Sequence, residues 1–246
     1  MTTVPFARPA GRPTPGAAAR LAHPLRAAML GAALLLGGVA GPASAQPMLY
    51  EQRLPEGFAF IRIANALPEG ATIRPDFRDP VTLGGNGAER VSPYYVAEDV
   101  ANRPVKFQVT IGGTTTEVQT TVKGGGLNTV ILQRRGNELV ATSVEDQQEY
   151  NQTRARLTFY NAVAGCDGGA LALDPSGQSV FSGVGPMQGR TRSVAPAAAV
   201  VRPSCGNQRA ANLDLGRLQA GGLYSVWLMA PQGQPTAFLV RDTITR

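Results

Sequence analysis

The chain has 246 residues, with 23 basic and 17 acidic side chains, one histidine and two cysteines. Four of the arginines and the single histidine, His23, lie in the first 45 residues, so the rest of the chain has 19 basic against 17 acidic residues and a net charge of only +2. This balance argues against nucleic-acid binding, and a chain without histidine beyond residue 45 cannot build a Ser-His-Asp or Cys-His centre or a histidine metal site.

The first 45 residues have the pattern of a secretory signal peptide. Arginines precede an apolar run, Ala27–Val39, and Ala43-Ser44-Ala45 supplies the small residues of a cleavage site. The alternative is an uncleaved membrane anchor, which needs roughly 20 apolar residues, whereas this run has 13. We therefore predict an exported protein whose signal peptide, residues 1–45, is cleaved after Ala45.

The rest of the chain contains a repeat with an offset of 96 residues. Three segments recur at this offset: Phe58–Ala66 with Arg154–Ala162, Gly125–Leu132 with Gly221–Leu228, and Val144–Asp146 with Val240–Asp242. In the first pair, alternate positions stay apolar while the positions between them change, which is typical of a half-buried β-strand. Three matches at one offset indicate two tandem copies of one domain.

In the first copy, turn residues separate short alternating runs. Val105–Ile111 alternates most clearly, and Gly112-Gly113 after it favours a hairpin turn. We predict these strands: Phe58–Ala66, Thr72–Arg74, Val81–Leu83, Glu89–Ala97, Val105–Ile111, Thr115–Val122, Leu127–Gln133 and Glu138–Val144.

The second copy follows a polar segment without apolar periodicity. We predict strands at Arg154–Val163, Gly169–Leu173, Ser179–Phe181, Arg192–Val201, Asn212–Leu215, Leu223–Met229 and Thr236–Arg241. No long amphipathic helix is predicted, so the fold class is all-β, with two tandem β-sandwich-like domains or two small barrels. The predicted domains are 46–146 and 154–246, with a linker at 147–153.

Two cysteines, Cys166 and Cys205, lie in the second copy. An even pair in one exported domain usually forms a disulfide, and closing the 39-residue span would contribute roughly 4 kcal/mol in the chain-entropy model. The alternative is a reactive thiol, which has no histidine to activate it. The first copy has no cysteine, so the fold does not require the bond.

Carboxylates for acid–base catalysis would have to lie across a cleft from each other. Asp76, Asp79 and Asp174 lie on predicted loops or turns, which favours solvated structural carboxylates. Cofactor and metal sites are not predicted, and neither is a catalytic residue.

Asn65 and Asn161 end the same strand in each copy. An asparagine there commonly hydrogen-bonds to the neighbouring backbone and shapes a turn; the functional alternative is a polar contact to a partner or a sugar. Trp227 lies in an almost continuous apolar strand and is predicted to be buried.

One face of the first strand changes between the copies, and it carries Phe58, Phe60 and Arg62. Because the side chains on this face are not needed in the core of their own domain, we expect the face to contact the other domain or a partner protein. Tyr94 and Tyr95 are adjacent and point to opposite faces of a strand, so one of them is a candidate for exposure. The candidate partner or glycan contacts are Phe58, Phe60, Arg62, Asn65, Tyr94, Tyr95 and Asn161.

A signal peptide, Leu49-Tyr50, a Pro-x-Gly turn, the run Phe60-Ile61-Arg62-Ile63-x-Asn65-Ala66 and a second related half together resemble the periplasmic alginate O-acetylation accessory family, AlgF. The resemblance extends to Val194-Ala195-Pro196 and Leu223–Leu228. It implies a non-catalytic adaptor that acts beside an exported acetyltransferase and a membrane acyltransferase, with alginate or a similar polymer such as cellulose as the polysaccharide.

Two other functions stay open at this point. One is a stand-alone carbohydrate-binding module, and the other is a glycan enzyme that uses carboxylates. Co-purification with an acetyltransferase, binding of the polysaccharide by the isolated chain, and cleavage of the polymer would distinguish the three.

Overall fold

Strands make up most of the computed structural model, which describes Pro55 and residues 57–101 and 103–245. The predicted signal peptide lies outside these residues. In the described part of the chain, no helix is long and apolar enough to cross a membrane. The prediction of an all-β protein is confirmed at this level.

The first half, residues 57–146, has short strands and one 3₁₀ turn at Gly87–Arg90. Its strands are β1 (Ala59–Asn65), β2 (Ala71–Pro75), β3 (Val81–Leu83), β4 (Tyr94–Ala97), β5 (Pro104–Ile111), β6 (Thr114–Thr121), β7 (Leu127–Arg135) and β8 (Glu138–Glu145).

The second half, residues 154–245, repeats this order with two short additions, β14 and β18. Its strands are β9 (Ala155–Ala162), β10 (Gly169–Asp174), β11 (Ser179–Val184), β12 (Gln188–Val194), β13 (Ala198–Cys205), β14 (Gln208–Arg209), β15 (Leu213–Arg217), β16 (Leu223–Met229), β17 (Thr236–Arg241) and β18 (Ile244–Thr245).

Each half contributes an inner and an outer sheet. The inner sheets have the orders β4-β1-β7-β8 and β12-β9-β16-β17, and β18 joins the first of them through β4. The outer sheets have the orders β3-β2-β5-β6 and β11-β10-β13-β14, with β15 also paired to β13. Strands β1 and β9 are buried along nearly their whole length on both faces, because the inner sheets are covered on both sides.

Strand register is the same in the two halves wherever the central strands pair. The matching pairs, each 96 residues apart, are Phe60↔Leu127 with Arg156↔Leu223, Thr129↔Val144 with Ser225↔Val240, and Ile73↔Val109 with Gly169↔Cys205. In both halves the central inner pair, β1·β7 or β9·β16, is parallel.

Three apolar clusters hold the sheets together. One lies between the inner and outer sheets of the first half and includes Ile61 and Phe107. The second lies in the same place in the second half and includes Phe159 and Leu171. The third joins the two halves and includes Trp227, so the prediction that Trp227 is buried is confirmed.

Two predicted strands are wrong in extent. Glu89–Ala97 begins as a 3₁₀ turn and becomes a strand only at Tyr94, after Pro93, which has no backbone N–H to donate. Arg192–Val201 is divided at Pro196: β12 ends at Val194 in the inner sheet, and β13 begins at Ala198 in the outer sheet. A proline cannot donate to a ladder, so the chain changes sheets there.

Residues 147–153 lie between β8 and β9 and contain no strand. The two halves nevertheless belong to one compact unit. The boundaries of two separate domains therefore stay a prediction.

Candidate functional site

The faces of β1 and β9 that differ in sequence between the two copies meet where the two halves contact each other. We call this contact the seam. Arg62 of β1 has only 1% of its surface exposed. Its Nη1 donates to Asp242 Oδ1 of the second half at 2.7 Å, and its Nε donates to Thr129 Oγ1 at 2.8 Å. Of the two predicted roles for this face, contact with the other half is the one found at Arg62.

Each half supplies the same hydroxyl–carboxylate pair to the seam. Thr129 Oγ1 donates to Asp146 Oδ2 and Ser225 Oγ donates to Asp242 Oδ1, both at 2.6 Å. The two pairs are 96 residues apart, and each aspartate follows the last strand of its inner sheet. The repeat at Val144–Asp146 was visible in the sequence, but nothing local marked its aspartate as a seam residue.

Aromatic rings enclose the Arg62 guanidinium. Its Cζ lies 4.5 Å from the ring centroid of Tyr94, 4.8 Å from that of Tyr160 and 5.1 Å from that of Trp227. Tyr160 stacks on Trp227 with centroids 4.2 Å apart, and Trp227 Nε1 donates to Ser225 Oγ at 2.9 Å. Cation–π attraction in a desolvated site therefore supplements the ion pair with Asp242.

Asp146 accepts three hydroxyl hydrogen bonds, from Thr129, from Tyr94 at 2.8 Å and from Tyr160 of the second half. Burial raises the pKa of Asp146 more than the neighbouring Arg62 and these donors lower it. Burial likewise raises the pKa of Tyr94 and of Tyr160. Both phenols therefore stay protonated and act as donors across a wide pH range.

Arg62 keeps its charge in this setting. Burial lowers the pKa of its guanidinium, but Coulombic attraction to the neighbouring acidic groups raises it, and the pKa stays well above its ordinary value. One guanidinium thus faces two carboxylates, one from each half. The arrangement is suited to joining the halves, since every member is buried.

The seam is not fully satisfied by hydrogen bonds. Arg62 Nη2, Arg156 Nε and Asp242 Oδ2 have no hydrogen-bond partner among the described residues, and Arg156 Nη2 lies 4.0 Å from Asp242 Oδ2. Buried charges are costly unless paired. Removing either Arg62 or Asp242 should therefore destabilise the fold strongly, because the other charge would stay buried without its partner.

Asn65 and Asn161 both shape turns. Asn65 Nδ2 donates to the carbonyl oxygens of Glu69 and Gly84, and its Oδ1 accepts from Leu67 N. Asn161 makes the same three kinds of bond, to Cys166 O, Val184 O and Val163 N. Both side chains are fully buried, so the turn interpretation is correct and their candidacy as exposed glycan contacts is not supported.

The tyrosine candidates are also buried. Tyr94 is 1% exposed and belongs to the seam, while Tyr95 is 8% exposed with the Arg78 guanidinium 3.4 Å from its ring centroid. The expectation that one of the two is exposed is wrong, because the opposite faces of β4 meet the seam on one side and Arg78 on the other. Phe58 and Phe60 are half-buried, and their contact with a partner stays a prediction.

The structure joins Cys166 to Cys205 with Cα atoms 5.8 Å apart, so the predicted disulfide is confirmed. Cys166 follows β9 and Cys205 ends β13. The bond therefore ties the inner-sheet end of the second half to its outer sheet. In the first half the matching positions are Gly70 and Val109.

A groove lies on the seam where the four central strands β1, β7, β9 and β16 end. Two adjoining hollows of about 220 Å³ and about 470 Å³ share Gln133, Arg134 and Ala164 in their walls. We call them together the seam groove. No local sequence motif predicts it, because strand ends from both halves come together only in the folded chain.

Across 57–101 and 103–245, no group of three or more His, Cys, Asp and Glu side chains is placed to hold a metal ion.

No family model matches the chain, and no curated protein sequence matches it significantly. Among solved structures, the chain is similar to the C-terminal domain of AlgF from P. aeruginosa, with 18% identity and a TM-score of 0.31. That similarity covers 36% of this chain and 98% of the AlgF domain. A likeness at this score does not establish a shared function.

Proposed function

We propose that the chain is a non-catalytic periplasmic adaptor needed for the O-acetylation of an exopolysaccharide, alginate or a similar polymer such as cellulose. It is exported by a signal peptide cleaved after Ala45. Its partners are an exported acetyltransferase and a membrane acyltransferase of the same complex. The sequence resemblance over Leu49–Ala66, Val194–Pro196 and Leu223–Leu228 supports this proposal.

The fold that serves this role is a duplicated one. We propose that each half is one copy of a β-sandwich-like domain, with an inner and an outer sheet around its own apolar cluster. Equal registers at an offset of 96 residues support the duplication. Independent folding of 46–146 and 154–246 is part of this proposal.

One observation carries the adaptor role: the groups best suited to chemistry are used to join the halves. Asp146, Asp242, Tyr94 and Tyr160 are buried at the seam, where they bind Arg62 or one another. A general acid or base must reach the proton that it transfers. These residues are buried and cannot reach a polymer. Two halves that are joined at the seam can instead hold partners on their outer sheets in a fixed arrangement.

The burial of the aromatic residues favours the adaptor over a stand-alone carbohydrate-binding module. Sugar stacking needs an exposed ring, but Tyr94, Tyr95, Tyr160 and Trp227 are each less than one-tenth exposed. Tyr150, in the segment that connects the two halves, is 68% exposed and is a candidate for sugar stacking.

Deletion and reconstitution in the native host test the adaptor role. We expect deletion to leave the amount of exopolysaccharide unchanged and to remove its acetyl groups, measured by NMR of the purified polymer. The tagged chain should co-purify with the exported acetyltransferase. Unchanged acetylation in the deletion strain, or acetyl release by the purified chain alone, would contradict the proposal.

A further inference from the structure

The seam groove has equivalent positions of the two halves on its opposite sides. Ala66 and Pro68 follow β1; at positions 96 residues later, Ala162 ends β9 and Ala164 follows it. All four line the smaller hollow. The groove therefore lies between equivalent segments of the two halves.

The equivalent segments that line the groove differ in charge. Gln133, Arg134 and Arg135 end β7, whereas the equivalent residues at the end of β16 are Met229, Ala230 and Pro231. Arg134 lines both hollows and Arg135 lines the larger one, and both side chains are exposed. One wall is thus cationic and the other small and apolar.

Acidic residues are missing from the walls of both hollows as the structure describes them. Glu138, the partner of Arg135 in the β7–β8 hairpin, lines a separate hollow with Arg134 and Glu117. No ion pair links Arg134 or Arg135 to a described carboxylate, and Arg134 Nη1 donates only to Asn137 O at 3.3 Å. The two guanidinium groups are free to bind an external anion, most strongly a carboxylate in bidentate geometry.

We propose that the seam groove is a docking site for an acidic, extended segment of a partner protein. Guanidinium groups bind the carboxylates of the segment, and the small wall formed by Ala162, Ala164, Ala230 and Pro231 admits its backbone. An extended segment fits better than a sugar chain because no lining residue is an aromatic platform. This inference rests on the proposed adaptor role and names the face that would carry it.

A fluorescein-labelled peptide of alternating Glu and Ala, titrated with the purified chain, tests the site by fluorescence anisotropy. We expect binding that weakens with salt and a Kd at least about tenfold higher for Arg134→Ala with Arg135→Ala. The matched control, Arg209→Ala with Arg217→Ala, removes the same charge from exposed positions of the second half and should bind like the parent.

A second variant tests the groove without removing an arginine. Ala230→Glu places a carboxylate on the small wall facing Arg134 and should weaken binding about as much as the double arginine variant. A matching peptide of Gln and Ala should not bind. Equal losses in the groove pair and the control pair would show non-specific attraction and overturn the site.

Other occupants give distinct results. Groove-dependent binding of an oligouronate but not of the Glu peptide would assign the groove to an anionic polysaccharide and overturn the proposal. Self-association that is lost in the groove variants, measured by sedimentation, would assign it to a second copy. If the parent chain binds the acetyltransferase but the groove variants bind the Glu peptide as the parent does, only the groove assignment fails. If peptide binding depends on the groove but the parent chain does not bind the acetyltransferase, only the adaptor proposal fails.

Discussion

Two of the three strand pairs in the inner sheets keep the same register in both halves, whereas β1·β4 and β9·β12 differ by one residue. Register in β1·β7 and β9·β16 coincides at every paired residue of the shorter ladder. In the outer sheets only the central pairs coincide, while the second half adds β14 and a disulfide. Both faces of the central inner strands β1, β7, β9 and β16 are buried, so a register slip would move whole rows of side chains out of their places. Edges exposed to solvent tolerate change.

The largest effect is expected from removing the charge that joins the inner sheets. Arg62→Ala leaves two buried carboxylates without their cation and should lower the free energy of unfolding by about 3–5 kcal/mol. Urea unfolding followed by Trp227 fluorescence measures this, because the indole lies in the seam. Arg217→Ala, at an exposed position, is the control and should stay within about 0.5 kcal/mol of the parent. Equal losses would show that the seam charge is unimportant.

Removing the disulfide tests the outer sheets. Cys166→Ala with Cys205→Ala should cost roughly 4 kcal/mol if loop closure dominates. Hydrogen exchange should then speed up in β10 and β13, while β2 and β5, which have no such bond, keep their protection. Faster exchange in both outer sheets alike would contradict the view that each outer sheet is stabilised separately.

The buried asparagines provide a matched comparison between the halves. Asn65→Ala and Asn161→Ala each leave two carbonyls and one buried N–H without a partner and should each cost about 2 kcal/mol. Asn137→Ala, on an exposed hairpin, is the control and should be nearly neutral. Thermal unfolding of the three variants checks this, and a large cost in only one half would break the equivalence of the turns.

The smallest effect concerns pH. Because burial raises the pKa of Asp146 above its ordinary value of 3.8, its contribution to stability is fully present below that value and is lost as pH rises through the higher folded pKa. Asp146→Asn should remove this decline, so the pH dependence of unfolding becomes flatter above about pH 3.8. An unchanged pH profile would show that Asp146 has no raised pKa.

Local pattern predicted most of the strands, since the period of two is visible along the chain, but it did not predict which strands pair. It also predicted that the changing face of the first strand meets another surface. It could not predict that Arg62 is buried, because its partner Asp242 is 180 residues away and an arginine on a strand is usually exposed.

The breaks in two predicted strands occur at Pro93 and Pro196. The apolar residues around these prolines favoured a continuous strand, so neither break was predicted. The seam groove was harder still. It combines the ends of strands from both halves, and Arg134 and Arg135 have no sequence motif around them. Such a site follows from tertiary packing alone.

A double-mutant cycle between Arg62 and Asp242 tests most directly whether the halves are joined by this charge pair. Arg62→Met, Asp242→Asn and the double variant should give a coupling energy of at least about 2 kcal/mol, with the double variant more stable than the sum of the single losses predicts. Additive losses, with no coupling between the two residues, would contradict the account.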